Sequence, residues 1–345
     1  MTGRREGGPR AALSRLRRAL SEPEQASRFL ERRIAELVAL ARVPRPGAIA
    51  AYLFAGATGL RPYDRYLRYL AWRCGGTIAR EIAGSEMVLD LADAGLSREL
   101  WLYGVREETT VERFEEELSI LRSEVDGPVG VIEIGANLGY FALAEARSLG
   151  ERAEIVAFEP DPRNRSLLRE TLARNGLGDV TVEPYALGAS DADATLSAST
   201  HSNRNRIEPR REHRGPLSLT GETREVAMRS VDSYLRSTGR SPDSVHVVRM
   251  DVEGYETEIL QGMRSLFEAE GPLLLFVEVH PGLLSEVEFE RFVSTLCDHG
   301  FELRCAISEG ISARPFDGTL DVPDLRSIPS VGRSGFKLFV KRSGE

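Results

Sequence analysis

The sequence predicts an α/β fold: a doubly wound, mostly parallel sheet of seven strands, preceded by a helical extension and a small β element. Three observations predict it. From residue 128 onward, short apolar runs alternate with helical stretches, the pattern of parallel strands joined by right-handed crossovers. The segment Val131-Ile-Glu-Ile-Gly-Ala-Asn-Leu-Gly-Tyr140 passes from an apolar strand through a glycine turn into a helix. Polar residues gather at the carboxyl ends of the apolar runs, where open parallel sheets bind ligands.

Residues 1–45 read as a basic helical arm. Leu13, Leu16 and Leu20 recur at helical spacing, and Leu30, Ile34, Leu37, Val38 and Ala41 repeat with a 3.6 period until Pro44 and Pro46. The arm carries eleven Arg against five Glu, so it is about +6 while the rest of the chain is about −14. It reads as a solvated extension, with peripheral membrane or partner contact as the other option. Residues 46–120 read as a cap region. The apolar run Ala48–Leu60 falls short of the roughly 20 residues a membrane span needs and is expected as a buried helix. Glu86–Glu107 reads as a small β element in which Met87, Leu89 and Leu91 alternate and Leu100, Leu102 and Val105 continue. Thr109–Leu121 reads as a helix with capping-box spacing between Thr109 and Glu112 and with Val111, Phe114, Leu118 and Leu121 on one face.

Residues 121–345 form the predicted sheet domain. Its strands are expected at Val129–Ile134, Glu154–Phe158, Val180–Glu183, Val245–Met250, Leu273–Val279, Phe301–Cys305 and Phe336–Val340. Helices are expected at Tyr140–Leu149, at Arg163–Asn175 with Gly176 closing it, from Tyr255, and at Glu286–His299. A polar insertion of about forty residues follows the third strand and ends in a strand at Glu225–Ser230.

Overall composition narrows the function. A net charge of −8 argues against a nucleic-acid partner, because phosphate binding needs a basic face. Cys74, Cys297 and Cys305 lack metal-site spacing and are expected as buried thiols in a reducing cytosol; no secretory signal is visible.

Candidate site residues follow from position. Gly135 and Gly139 flank Asn137, so the turn lacks the third glycine of the G-x-G-x-x-G dinucleotide fingerprint, and a ligand without a pyrophosphate, such as S-adenosylmethionine, fits better. Asn137 offers amide groups to an amino-acid moiety. Glu159 ends the second strand, where a carboxylate accepts both hydroxyls of a ribose. Ala186 follows the third strand and leaves room for an adenine ring. Asp251 and Glu253 follow the fourth strand; they bind cofactor, cation or hydroxyl, or one of them caps the helix at Tyr255. Glu278 and His280 end the fifth strand two residues apart, hence on one face. A histidine there is a general-base candidate. No metal site is predicted, although a divalent cation on Asp251, Glu278 and His280 is a secondary option. In the insertion, Thr200-His-Ser-Asn-Arg-Asn-Arg206 reads as a lid or as a solvated loop.

Four blocks together, Glu133-Ile-Gly-Ala-Asn-Leu-Gly-Tyr140, Ala157-Phe-Glu-Pro-Asp-Pro-Arg-Asn164, Arg249-Met-Asp-Val-Glu-Gly-Tyr-Glu256 with Leu260-Gln-Gly262, and Val277-Glu-Val-His280, resemble the FkbM family of S-adenosylmethionine-dependent methyltransferases. The resemblance spans roughly residues 86–340. It implies a class I methyltransferase (Rossmann-like) fold and O-methylation of a sugar, glycolipid, polysaccharide or related hydroxyl. It implies cofactor contacts at Glu133, Gly135, Asn137, Gly139 and Glu159, with Asp251 near the sulfonium. Glu133 stands where the family usually has Asp, and Arg249 where it has Lys. The expected reaction is in-line methyl transfer to a hydroxyl, with His280 as base supported by Glu278 or Asp251. The competing readings are a nicotinamide oxidoreductase and an inactive protein that keeps the methyltransferase fold for binding.

Overall fold

The computed structural model describes residues 67, 70–93, 95–199, 201–202, 205–208, 219–308, 322–331 and 335–344. The basic arm and the run Ala48–Leu60 lie outside them. The chain divides into units of residues 1–76 and 77–345, and every element named here belongs to the second.

That unit opens with an antiparallel hairpin, β1 (Thr77–Ile82) and β2 (Ser85–Asp90). Next come helices α1 (Leu96–Tyr103) and α2 (Glu108–Glu124). The strand expected around Leu100 is therefore helical: Leu96 and Leu100 lie four residues apart and are both buried, a helical spacing that outweighed the alternation. The predicted cap at Thr109 is not formed; Glu107, in a left-handed conformation, starts α2 with no side-chain hydrogen bond. Phe114, Leu118 and Leu121 nevertheless bury one face of α2 as expected.

Alternation of strand and helix then runs through β3 (Val129–Ile134), α3 (Tyr140–Leu149), β4 (Ala153–Phe158), α4 (Pro162–Arg174) and β5 (Thr181–Glu183). Helix α4 starts on the Asp161 side chain, which accepts from the N–H groups of Arg163 and Asn164. It ends in the predicted glycine stop: Gly176 is left-handed, with its N–H on Ala173 O and that of Leu177 on Leu172 O.

The polar insertion is not a loop but a second sheet. It comprises β6 (Ala186–Leu187), β7 (Ala192–Ser199), β8 (Arg206–Glu208) and β9 (Leu219–Arg229), in the order β6-β9-β7-β8. Ala186, Ala194, Leu196 and Ile207 make its small apolar core, too sparse to stand out in a polar sequence.

The chain returns through α5 (Val231–Thr238), β10 (Val245–Met250), α6 (Glu256–Gln261), α7 (Arg264–Glu268), β11 (Leu273–Val279), α8 (Glu286–Asp298), β12 (Glu302–Ser308) and β13 (Phe336–Arg342). The main sheet has seven strands in the order β12-β13-β11-β10-β3-β4-β5. Only β13 runs against the others. The chain winds outward from β3 in one direction and from β10 in the other, so the topological switch lies between these neighbours. A crevice opens at their carboxyl ends for that reason.

Both faces of the sheet are covered. Ile132, Ile134, Val248 and Met250 point into one core; Val129, Val131 and Val247 point into the other, with Phe114, Phe141, Phe276 and Phe339. The rings of Phe276 and Phe339 stack 4.3 Å apart. Cys74 is exposed and Cys297 and Cys305 are half-buried, so the three thiols are not the buried set the composition suggested. Among the described residues no helix is long and apolar enough to cross a membrane.

Candidate functional site

The glycine turn after β3 sets the site. Gly135 has φ +78°, and a Cβ there would stand 2.2 Å from the carbonyl oxygen of Asp251. Only glycine lets the turns that follow β3 and β10 lie so close together. Gly135 and Ala136 donate their N–H groups to Phe158 O, at 3.0 and 3.1 Å, which ties the turn to β4. Asn137 is also left-handed, at φ +50°. Its N–H donates to Glu159 Oε2 at 2.8 Å, and the N–H of Asp161 donates to Glu159 Oε1 at 2.9 Å. The Glu159 carboxylate is thus clamped by two backbone donors at the end of β4. Burial pushes its pKa up to about 7, although both N–H groups pull the other way.

Gly135, Asn137, Glu159, Ala186 and Asp251 all line one cleft. Ile134, Phe158, Tyr185 and Leu187 give it apolar walls. Leu196, Ser202, Asn205, Arg206 and Ile207 of the inserted segment close its far side. Ser202 is fixed there by Asp93, which accepts from its N–H at 2.8 Å and its hydroxyl at 2.9 Å. So the described part of the predicted lid is a wall of the cleft; Thr200, Asn203 and Arg204 lie outside the described residues.

Two expected contacts fall elsewhere. Glu133 is fully buried: strand alternation turns it under α3, where Arg249 Nη1 meets its Oε1 at 2.7 Å. Glu145 of α3 lies in the same pocket of charge. Burial, then the adjacent Glu133, holds its carboxyl well above the usual carboxylate range. The longer Glu133 stem reaches an internal ion pair with Arg249. Gly139 also faces away from the cleft. It begins α3 at φ +89°, and a Cβ would meet Leu168 Cδ1 at 2.7 Å, so its role is close packing of α3 on α4.

The guanidinium of Arg249 links the interior to the cleft. It lies 3.9 Å over the Phe141 ring and donates to Asp251 Oδ2 at 3.3 Å. Burial opposes the charge of Arg249, but Glu133, Asp251 and Glu278 raise its pKa further. Burial and the adjacent Glu278 together hold the Asp251 carboxyl well above its usual range.

Glu278 and His280 do share a face, with His280 Nε2 3.7 Å from Glu278 Oε1 and 3.7 Å from Glu253 Oε2. His280 Nδ1 lies 3.0 Å from Glu256 Oε1, which also accepts the N–H of Gly254 at 3.0 Å. Neither acid after β10 caps α6, whose first turn starts at Tyr255 without a side-chain cap. Burial disfavours a charged imidazole at His280, yet Glu253, Glu256 and Glu278 outweigh it and hold its pKa well above the usual value. Asp251, Glu253 and His280 each offer a ligand atom within 4.8 Å of the others, a set able to hold a cation; Glu278, expected in it, is replaced by Glu253.

Residues 133–303 match the Methyltransferase FkbM domain. The chain belongs to the FkbM methyltransferase family. The match starts at Glu133 and ends within β12, so it takes in the cleft-lining acids and the cluster around His280, but not β1, β2, α1 or α2. Among curated proteins, the chain is 27% identical over 187 residues to the hexuronic acid methyltransferase AglP of Haloferax volcanii, covering 52% of this chain and 71% of that one. It is 26% identical over 223 residues to the 2-O-methyltransferase NoeI of Sinorhizobium fredii, covering 55% and 86%. A crystal structure of methyltransferase FkbM from Methylobacillus flagellatus aligns with a TM-score of 0.35 at 13% identity, over 90% of this chain and 59% of that one. The sheet order described above, rather than that alignment, defines the fold.

Glu256, which touches His280, and Arg106 and Glu107, which line a small space beside the cleft, were not singled out in the sequence. Glu256 stood at the end of a quoted block and was signalled by its distance from the strand. Arg106 and Glu107 carried no signal, because a left-handed glutamate opening a helix is invisible in one sequence.

Proposed function

We propose that the protein is an S-adenosylmethionine-dependent O-methyltransferase acting on a sugar hydroxyl. One observation carries the cofactor half: a carboxylate at the end of β4, held by two backbone N–H groups, faces the cleft beside the tight glycine turn after β3. Each Glu159 oxygen keeps a lone pair for one ribose hydroxyl. Ala186 and the apolar walls suit an adenine ring. The Oδ1 of Asn137 is buried with no partner, so the site has an acceptor waiting for a ligand donor. The sugar half is supported by the relatives named for a hexuronic acid and for 2-O-methylation.

When bound, the cofactor supplies a methyl group on a positively charged sulfur. The protein supplies position and field. Asp251 lines the cleft at the switch point, beside the Arg249 guanidinium. Glu253 lines the same cleft and leads to His280 and Glu278. His280 takes the acceptor proton, and Glu256 fixes the ring through Nδ1 so that Nε2 faces the cluster. Glu253, Glu256 and Glu278 favour a protonated His280, so a positive charge bound nearby would help the ring shed that proton and act as a base. A second reading uses the same cluster: a divalent cation on Asp251, Glu253 and His280 would lower the pKa of the acceptor hydroxyl directly.

The test is methyl transfer from S-adenosylmethionine to a panel of hexose and hexuronic acid glycosides, read by mass spectrometry, with His280→Ala beside the parent protein. The reading expects methylated glycoside from the parent, and near-normal cofactor affinity with turnover roughly 10²–10⁴-fold lower in the variant. Unchanged turnover in His280→Ala removes it from the mechanism; methylation of none of the panel removes the sugar acceptor.

A further inference from the structure

The inserted sheet brings two unpaired donors to the far side of the cleft. Arg206 opens β8, is half-buried, and lines the cleft. It is the only Lys or Arg among the residues that line it. Its Nε is buried without a partner, and its guanidinium makes no hydrogen bond or ion pair among the described residues. The adjacent Asn205 lines the cleft as well. Its Oδ1 accepts the N–H of Ser199 at 2.9 Å, which fixes the amide, and its Nδ2 meets no acceptor among the described residues. The acids that could have answered Arg206 are engaged elsewhere. Glu208, two residues on, accepts from the Ser197 hydroxyl at 2.5 Å, and Asp93 holds Ser202. Of the acids lining the cleft, Glu159 takes two backbone N–H groups, Asp251 pairs with Arg249, and Glu253 lies against His280.

A guanidinium drawn part-way out of water without a counter-charge loses solvation that nothing in the protein returns. The partner that fits its fork is a carboxylate or a phosphate, and an amide N–H beside it adds a further donor. The other ionisable groups lining the cleft are acids, and none of them attracts an anion. An anionic acceptor therefore finds its counter-charge only at Arg206, and its uncharged hydroxyls are left toward Asp251 and Glu253 across the cleft. Resting on the sugar-acceptor reading above, we propose that the acceptor is an anionic sugar, a uronic acid or a sugar phosphate, whose charged group is bound by Arg206 and Asn205. The pair then selects the acceptor and decides which hydroxyl meets the methyl donor. Both residues lie in the insertion, outside the four blocks that carry the family resemblance.

The experiment measures methyl transfer from S-adenosylmethionine to three acceptors that share one aglycone: phenyl glucuronide, phenyl glucoside 6-phosphate and neutral phenyl glucoside. The parent protein is expected to favour one of the two anions over the neutral glucoside roughly tenfold or more in kcat/KM, and the anion it favours tells carboxylate from phosphate. In Arg206→Gln the ratio of anionic to neutral kcat/KM is expected to fall roughly tenfold to a hundredfold, through KM, the loss of a charge-assisted pair. Arg206→Lys keeps the charge without the fork and is expected to fall between them. Calorimetry with S-adenosylhomocysteine shows that each variant is folded. A parent that prefers neither anion, or an unchanged ratio in Arg206→Gln, overturns the proposal while the sugar reading stands. A loss of roughly tenfold or more in S-adenosylhomocysteine affinity would give the guanidinium to the cofactor and overturn it as well. If the parent methylates none of the three, the sugar reading fails and takes this proposal with it.

Discussion

Glu159 makes cofactor affinity depend on pH in a calculable way. Its carboxyl is buried, and its pKa is pushed up to about 7. Only the carboxylate can accept from both ribose hydroxyls while accepting two backbone N–H groups, so protonation removes an acceptor site. With a pKa near 7, the ionised fraction is roughly one tenth at pH 6 and nine tenths at pH 8, and affinity should fall about tenfold between pH 8 and pH 6, about 1.4 kcal/mol. The same shift bears on stability with the opposite sign. The folded pKa lies above the ordinary glutamate value of 4.5. The folded state therefore binds the extra proton, and stability is lost as pH rises from that value through about 7, by up to roughly 3 kcal/mol. Burying this acid costs stability at the pH where it grips ligand best. The assay is calorimetric titration with S-adenosylhomocysteine from pH 6 to 8, on the parent and on Glu159→Gln. The variant should bind roughly 10–100-fold more weakly at pH 8 and lose the steep part of the profile. A flat profile for the parent, or the same slope in Glu159→Gln, would refute the reasoning.

Gly135→Ala forces a side chain into a left-handed turn and against the Asp251 carbonyl oxygen; the strain alone is about 1–3 kcal/mol, so both melting temperature and S-adenosylhomocysteine affinity should drop, and an unchanged melt would show that the crossing is looser than described. Arg249→Met leaves Glu133 buried without its partner and should destabilise by about 3–5 kcal/mol in denaturant unfolding, whereas Arg249→Lys should recover part of it. Binding of S-adenosylmethionine near neutral pH should release a proton from the His280 cluster, seen as a heat that varies with buffer ionisation enthalpy; the homocysteine analogue, with an uncharged sulfur, should release less. Dialysis against a chelator should leave turnover intact if His280 works as a base, and a loss restored by Mg²⁺ would transfer the role to a cation on Asp251, Glu253 and His280.

Much of this architecture was legible in the chain. The strands Val129–Ile134, Val245–Met250 and Leu273–Val279 are wholly buried, so they read as unbroken apolar runs with sharp ends. Gly135, Asn137, Glu159 and Asp251, read from strand ends, do line one cleft, because strand termini fix their position. What was lost has two physical causes. A strand end does not tell which face a side chain takes, and Glu133 turned inward to Arg249 while Asp251 reached the cleft. Edge structure with half-polar faces carries little periodic signal, so of the second sheet only the strand near Glu225, part of β9, was read, and β7 and β8 were lost in a polar insertion.

The account depends most on an adenosine resting at the switch point between β3 and β10. A crystal structure of the protein with S-adenosylhomocysteine tests it directly. The prediction is that both ribose hydroxyls lie within hydrogen-bonding distance of Glu159, one on each oxygen, with the adenine against Ala186. Density for the nucleoside anywhere else, or none at saturating ligand, would contradict it.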